Sequence, residues 1–234
     1  MKRYLHFDEL DSTNTYAKKH YASLPDKTVI AADTQTAGRG RCDRKWFSGE
    51  GGLYFSVLLK PHKTDFLSNI TQLMALSVCR ALEDLRVSAR LKWPNDVLAD
   101  GKKICGILSE SVARGGHIDA LTVGAGVNVS QGGLERVGQP AVSLRQLGVQ
   151  TDKETLLRAI LDYFWRDYDA LLQRGFEVIR TPYKARFPYL GKQTAVKNGG
   201  QTLFGTVQDV SPGGTLILRT AKGTEEIYIG DMTL

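Results

Sequence analysis

Residues 89–130 read ARLKWPNDVLADGKKICGILSESVARGGHIDALTVGAGVNVS, and the fold turns on how this run is read. "ARLKW", "DVLAD", "KICGILSES" and "IDALTVGAGVNVS" are short runs rich in Val, Ile and Leu, with turn residues at Pro94-Asn95-Asp96 and Asp100-Gly101. Consecutive runs joined so closely fold back as hairpins, and the spacing predicts a mostly antiparallel sheet. Pro94 disfavours helix at Trp93 before it, which places Lys92 at a strand end.

Helices flank this run. Ile70, Leu73, Met74, Val78, Ala81, Leu82 and Leu85 recur at helical spacing over 68–85. Further upstream, "TVIAADT" reads as a short buried strand, and "LYFSVLL" alternates Leu53, Phe55, Val57 and Leu59 on one face. "STNTYAKKHYASL" opens on good capping residues and predicts a short helix near 14–23, ended by Pro25 and Asp26. Downstream, "TDKETLLRAILDYFWRDYDALLQRG" has Thr151 and Glu154 in capping-box spacing and a stop at Gly175, which predicts the longest helix. After Pro188 short β-rich runs are punctuated by "NGG", "PGG" and "AKG", the pattern of a small barrel. The expected fold class is α+β: a mixed, mostly antiparallel sheet with flanking helices over 1–187, then a small β-barrel over 188–234.

Composition bounds the function. A chain of 234 residues, 42% hydrophobic and 24% charged, is long enough for a sizeable core and fits neither a disordered nor a collagen-like class. No run approaches the roughly 18 apolar residues of a membrane span, and acidic residues follow the basic start at once, so no signal peptide and a cytoplasmic location are expected. The three cysteines are too widely spaced for a disulfide framework or a CxxC metal site, and the four histidines show no ligand spacing, so no protein metal site is expected. A formal charge of +6 favours an anionic partner without choosing one.

The motifs narrow the choice. "AGRGRCDRKWFS", 37–48, is a loop between two strands; Gly38 and Gly40 permit close backbone approach, Arg39, Arg41, Arg44 and Lys45 offer donors to phosphate or carboxylate, and Trp46 offers a flat face. A solvated charged connection is the other reading of the same residues. Neither standard nucleotide fingerprint is present: Gly101-Lys102 has Asp96 where a P-loop needs glycine, and the GxGxxG pattern fails at Asp43 and at Val129. Lys92, backed by Asn95 and Asp96, fits an anion clamp or plain turn chemistry. Lys103 with Gly106 fits a ligand lying against a strand or a surface hairpin. Asn128 sits in an apolar run, where a buried amide needs partners, adenine or a neighbouring strand. There is no Gly-x-Ser-x-Gly elbow.

Each segment is ambiguous alone, but taken in order "DSTN", "ADTQTAGRGR" with "RKWFS", "GLYFSVLL", "LKWPND", "KKICGIL" and "VGAGVNV" resemble the biotin protein ligases over most of residues 8–146. The resemblance implies a class II synthetase-like catalytic domain with an SH3-like C-terminal barrel. It implies that ATP, expected with Mg²⁺, adenylates biotin to biotinyl-5'-AMP, and that biotin then passes to a lysine of a biotin carboxyl carrier protein, as in acetyl-CoA carboxylase. By this resemblance Ser12, Thr13, Asn14 and Gln35 bond the ureido ring, Gly38 and Arg39 close on biotin, and Gly106 and Lys103 line its path. Arg41, Arg44, Lys45, Trp46, Asn95 and Asn128 meet ATP. The catalytic set implied is Arg39, Lys103, Lys92 and Asp96, with Lys103 on the biotin carboxylate or its phosphoanhydride and Asp96 orienting Lys103 or the acceptor lysine.

Cys42 and Asp43 stand where many relatives are basic or glycine, and Ser130 replaces the second asparagine of an Asn-x-Asn. With "DELDSTN" at residue 8 there is no room for a helix-turn-helix, so a monofunctional enzyme without specific DNA binding is expected; a homodimer stays open. The competing readings are a lipoate or octanoate ligase or transferase, and a basic nucleic-acid-binding module stacking bases on Trp46 and Trp93.

Overall fold

The structure is a computed structural model that describes residues 3–198 and 200–233. Its larger sheet comprises β1 (Tyr4–Leu10), β2 (Thr28–Gln35), β3 (Leu53–Leu59), β4 (Ala89–Lys92), β5 (Asp96–Ala99), β6 (Lys102–Arg114) and β7 (His117–Val127). The spatial order is β1-β2-β3-β7-β6-β5-β4, and only β1 with β2 pairs in parallel. The hairpins expected from 89–130 are present; Asp100 and Gly101 both take positive φ, 49° and 72°, as the tight β5–β6 turn requires.

The parallel pair comes from a β1–α1–β2 crossover, α1 being Thr13–His20, capped by the Ser12 side chain at the Thr15 amide. The sequence reading did not assign β1. Its Leu5 and Phe7 alternate with exposed residues, as befits an edge strand with one face inward. β3 lies inside the sheet and is buried along its whole length, because its Leu58 packs with Ala17 of α1 and Ile30 of β2 while Phe55, Val57 and Leu59 join the main core.

Helices α2 (Leu67–Asp84) and α3 (Lys153–Arg174) cover the opposite face. α3 is capped by Asp152, whose carboxylate accepts from the Thr155 amide, so the Thr151–Glu154 capping box does not form. α4 (Glu177–Ala185) follows Gly175 and was also not anticipated, Pro182 inside it having the look of a breaker.

The C-terminal strands β8 (Gln193–Asn198), β9 (Gln201–Val210), β10 (Leu216–Thr220), β11 (Gly223–Ile227) and β12 (Asp231–Thr233) form a five-stranded antiparallel sheet in the order β11-β10-β9-β8-β12. Its Val196, Val207, Val210, Leu216 and Leu218 belong to the same core as α2 and α3. Asn69 and Gln72 of α2 donate to the Gly213 and Gly214 carbonyls at 2.9 and 2.7 Å, which ties the β9–β10 turn to that helix.

Candidate active site

A cleft of about 720 Å³, counting space open to solvent, lies on the face of β6 and β7 not covered by α2 and α3. Glycines make its floor. Gly106 and Gly126 are cross-strand partners, and the indole of Trp46 lies on them: a Cβ at Gly126 would stand 2.3 Å from Trp46 Nε1, and one at Gly106 2.8 Å from the ring. Gly124 does the same for Asn14, whose Oδ1 would be 2.5 Å from an added Cβ. Any side chain here would fill the space the cleft occupies.

One end is a neutral hydrogen-bond network. Ser12, Thr13, Asn14 and Gln35 all line it. The Thr13 amide donates to Gln35 Oε1 at 2.9 Å, Gln35 Nε2 donates to Ser48 Oγ at 2.9 Å, and Ser56 Oγ donates to Asn14 Oδ1 at 2.7 Å. Asn14 Nδ2 donates to the Leu108 carbonyl at 3.0 Å and to Glu110 at 2.9 Å. These buried and half-buried groups hold one another in fixed orientations before any ligand arrives.

The other end is cationic. Loop 37–48 is a small hairpin: Gly40 N–H donates to the Arg44 carbonyl and Trp46 N–H to that of Gly38, with Cys42 and Asp43 at the tip at φ 53° and 55°. This brings Arg41, Arg44, Lys45 and Trp46 into the lining here, while Arg39 of the same loop lines the cleft but turns toward Thr15 and Glu110 at the other end. From across the cleft come Asn95, Asp96 and Lys103, and Lys103 Nζ is 2.8 Å from Asp96 Oδ1 and 5.2 Å from the Trp46 ring centre. Arg41 donates to Asn95 Oδ1 at 3.2 Å, to the Gly230 carbonyl at 3.0 Å and to Asp231 Oδ1 at 3.0 Å, while Arg44 pairs with the other Asp231 oxygen. The C-terminal sheet thus supplies a carboxylate to the cleft. Trp46 Nε1 is buried and has no hydrogen-bond partner among the described residues.

Four of the residues singled out from the sequence stand apart from the cleft lining. Gly38 lies behind the wall, where a Cβ would meet Ser48 Oγ at 2.3 Å. Lys92 pairs across β4–β5 with Asp96 and does not line the cleft. Asn128 is buried beneath a smaller adjoining hollow lined also by Trp46, Phe47, Lys103 and Leu134; its amide donates to the Lys103 and Val142 carbonyls at 3.2 and 3.1 Å and accepts from Gln131. Trp93 is buried with its indole N–H on the Gly214 carbonyl, so it offers no stacking face.

Sequence reasoning missed Asp231 and Glu110. Glu110 receives Lys18 at 2.6 Å and Arg39 at 3.0 Å, and Arg39 also reaches Thr15. Burial raises the Glu110 pKa, but the hydrogen bonds from Lys18 and Asn14 and the charges of Lys18 and Arg39 outweigh it and leave it below the ordinary glutamate value. The signal was available, since Gly106, Leu108 and Glu110 form a period-two series on β6. Away from the cleft, His6, Asp8 and Asp33 have ligand atoms within 4.8 Å of one another, though Lys153 holds one Asp33 oxygen at 2.5 Å.

Similarity to known proteins covers the whole chain. Residues 6–128 match the biotin/lipoate A/B protein ligase family, and 189–234 match the biotin protein ligase C-terminal domain. The chain is 34% identical to the biotin--[acetyl-CoA-carboxylase] ligase of Paracoccus denitrificans, covering 93% of this chain and 94% of that one. It is 32% identical to the bifunctional ligase/repressor BirA of Bacillus subtilis, over 98% of this chain and 73% of that one. Among solved structures, the biotin protein ligase of Aquifex aeolicus in complex with biotin and ATP superposes with a TM-score of 0.89 at 32% identity, covering 100% of this chain and 98% of that one. The chain belongs to the biotin/lipoate A/B protein ligase family.

Proposed function

We propose that the chain is an ATP-dependent biotin protein ligase, and that the pairing of a neutral, preformed hydrogen-bond network with a cationic end in one glycine-floored cleft is the observation that carries this reading. The neutral end suits the ureido ring, which is uncharged and rich in donors and acceptors. The cationic end suits a carboxylate brought against a triphosphate, two anions that repel unless positive groups lie between them. The Aquifex relative, solved in complex with biotin and ATP, supports the same assignment.

The chemistry then runs in two displacements. A biotin carboxylate oxygen attacks the α-phosphorus of ATP, forming the acyl-phosphate anhydride as pyrophosphate leaves. A carrier lysine amine next attacks the acyl carbon, losing a proton as the amide forms and AMP departs. Lys103, held by Asp96, stands where the carboxylate end of biotin would lie and offsets charge on the carboxylate and on the α-phosphate. Arg41, Arg44 and Lys45 take the outer phosphates, with Mg²⁺ carried in by the nucleotide. Trp46 and the adjoining hollow take the base. The acceptor is the carrier domain of a biotin-dependent carboxylase, encountered in the cytoplasm; among the described residues no helix is long and apolar enough to cross a membrane. Residues 1–187 would act as the ligase domain and 188–234 as a second domain lending Asp231 to the cleft.

The test is incubation with biotin, ATP and Mg²⁺, followed by mass spectrometry. Biotinyl-AMP, and the mass of one biotin on an added carrier domain, are expected; adenylate formed with lipoate or octanoate but not with biotin would overturn the reading.

A further inference from the structure

Glu110 lies outside the cleft lining, yet its carboxylate joins Asn14 of the neutral end to the two cations Lys18 and Arg39. Oε1 receives Lys18 at 2.6 Å and Arg39 Nη2 at 3.0 Å, while Oε2 receives Asn14 Nδ2 at 2.9 Å and Arg39 Nη2 at 3.0 Å. Lys18 and Asn14 stand one helical turn apart on α1, Arg39 comes from the basic loop, and Glu110 is on β6, so one carboxylate ties three separate elements together. Its side chain is only 18% exposed, and the pairs are correspondingly less screened than surface ones.

We infer that Glu110 is a positioning residue for the biotin-ring end of the cleft, seating Arg39 beside Asn14 as a wall of the ring pocket and keeping it from acting as a cation for the phosphates. This rests on the ligase reading above. Arg39 bridges Lys45 across the loop hairpin, so fixing its side chain also fixes the stem of that hairpin. The cations left for the phosphates are Arg41, Arg44, Lys45 and Lys103, none of which touches Glu110. The inference therefore separates substrates: loss of Glu110 should be felt by biotin and not by ATP. Asn14 sharpens the point. Its Nδ2 needs an acceptor at Glu110, and a glutamine there would offer either its own N–H₂ to Asn14 or a single oxygen to four competing N–H contacts.

The experiment is a kinetic split. For Glu110→Gln the KM for biotin should rise roughly tenfold, since charge-assisted hydrogen bonds to a partly buried carboxylate are lost. The KM for ATP and the kcat at saturating biotin should stay within about twofold of the parent, by the same argument that no phosphate-side cation is touched. In an Arg39→Gln background the same change should add no more than about twofold, because Asn14 keeps the Leu108 carbonyl as an acceptor and the rest of the effect passes through Arg39. Glu110→Asp, which retains the charge, should fall between the two and provides the same reading if Glu110→Gln does not fold. An unchanged biotin KM, an equal rise in the KM for ATP, or full additivity with Arg39→Gln would overturn the inference. A parent protein that forms no biotin-dependent adenylate would instead overturn the ligase reading itself.

Discussion

The two ends of the cleft are held in different ways. At the α1 end, Thr13, Asn14, Gln35, Ser48 and Ser56 bond one another, and Glu110 closes the network from behind. At the basic-loop end, Arg41 and Arg44 are held by Asp231, a carboxylate from the C-terminal sheet. The first end is preorganised by local packing, so a ligand meets groups that need not move. The second depends on a contact between two sheets and on a hairpin whose tip sits in a strained backbone region. A substrate whose ring is neutral and whose tail must meet phosphates calls for that division: a rigid recognition end and a cationic end that adjusts as charge develops.

The division can be broken from either side. The largest effect is expected at Lys103, the ammonium shared between Asp96 and the Trp46 face; Lys103→Gln should lower the adenylation kcat by roughly a hundred- to thousandfold, read by pyrophosphate release, because a preplaced charge on the reacting centre is lost. Two floor glycines only two positions apart should respond oppositely. Gly124→Ala presses on Asn14 and should raise the KM for biotin, while Gly126→Ala displaces the Trp46 indole and should raise that for ATP, each by roughly tenfold from an overpacking cost of about 1–3 kcal/mol. Equal effects on both substrates from either variant would blur the distinction between the ends.

A smaller change is expected at Asp231. Asp231→Asn removes the charge that anchors Arg41 and Arg44, and the KM for ATP should rise roughly three- to tenfold with the KM for biotin unchanged, a size set by half-exposed pairs worth about 0.2–1 kcal/mol each. Substrate titrations in both dimensions would check it. The smallest effect lies at the loop tip. Asp43→Gly relieves a left-handed conformation at a cost in chain entropy, a net gain below about 1 kcal/mol, and should slow proteolysis within 37–48 by about twofold.

Much of this was legible in the sequence where the signal is local. The β4–β7 hairpins follow from short apolar runs and Asp100-Gly101, and α2 follows from its apolar period. β1 was missed because Asp8 and Glu9 mask a short period-two series in an edge strand, and α4 because Pro182 interrupts it. Within the cleft, the residues named from "DSTN", the basic loop and Lys103 converge as expected. The two carboxylates that organise them do not announce themselves: Arg39 meets Glu110 across 71 positions and Arg41 meets Asp231 across 190, contacts that only the folded chain creates. Lys92 stands outside the cleft lining for a related reason, since a strand-end position does not say which way the pairing turns the side chain. Cys42 and Asp43 occupy the hairpin tip at positive φ, a conformation their sequence positions alone did not reveal.

The most direct test of the whole account is isotopic ATP–pyrophosphate exchange with and without biotin. Exchange that requires biotin, and that collapses in Lys103→Gln while surviving in Glu110→Gln once biotin is raised to saturation, is the predicted result. Exchange independent of biotin, or driven by lipoate alone, would contradict it.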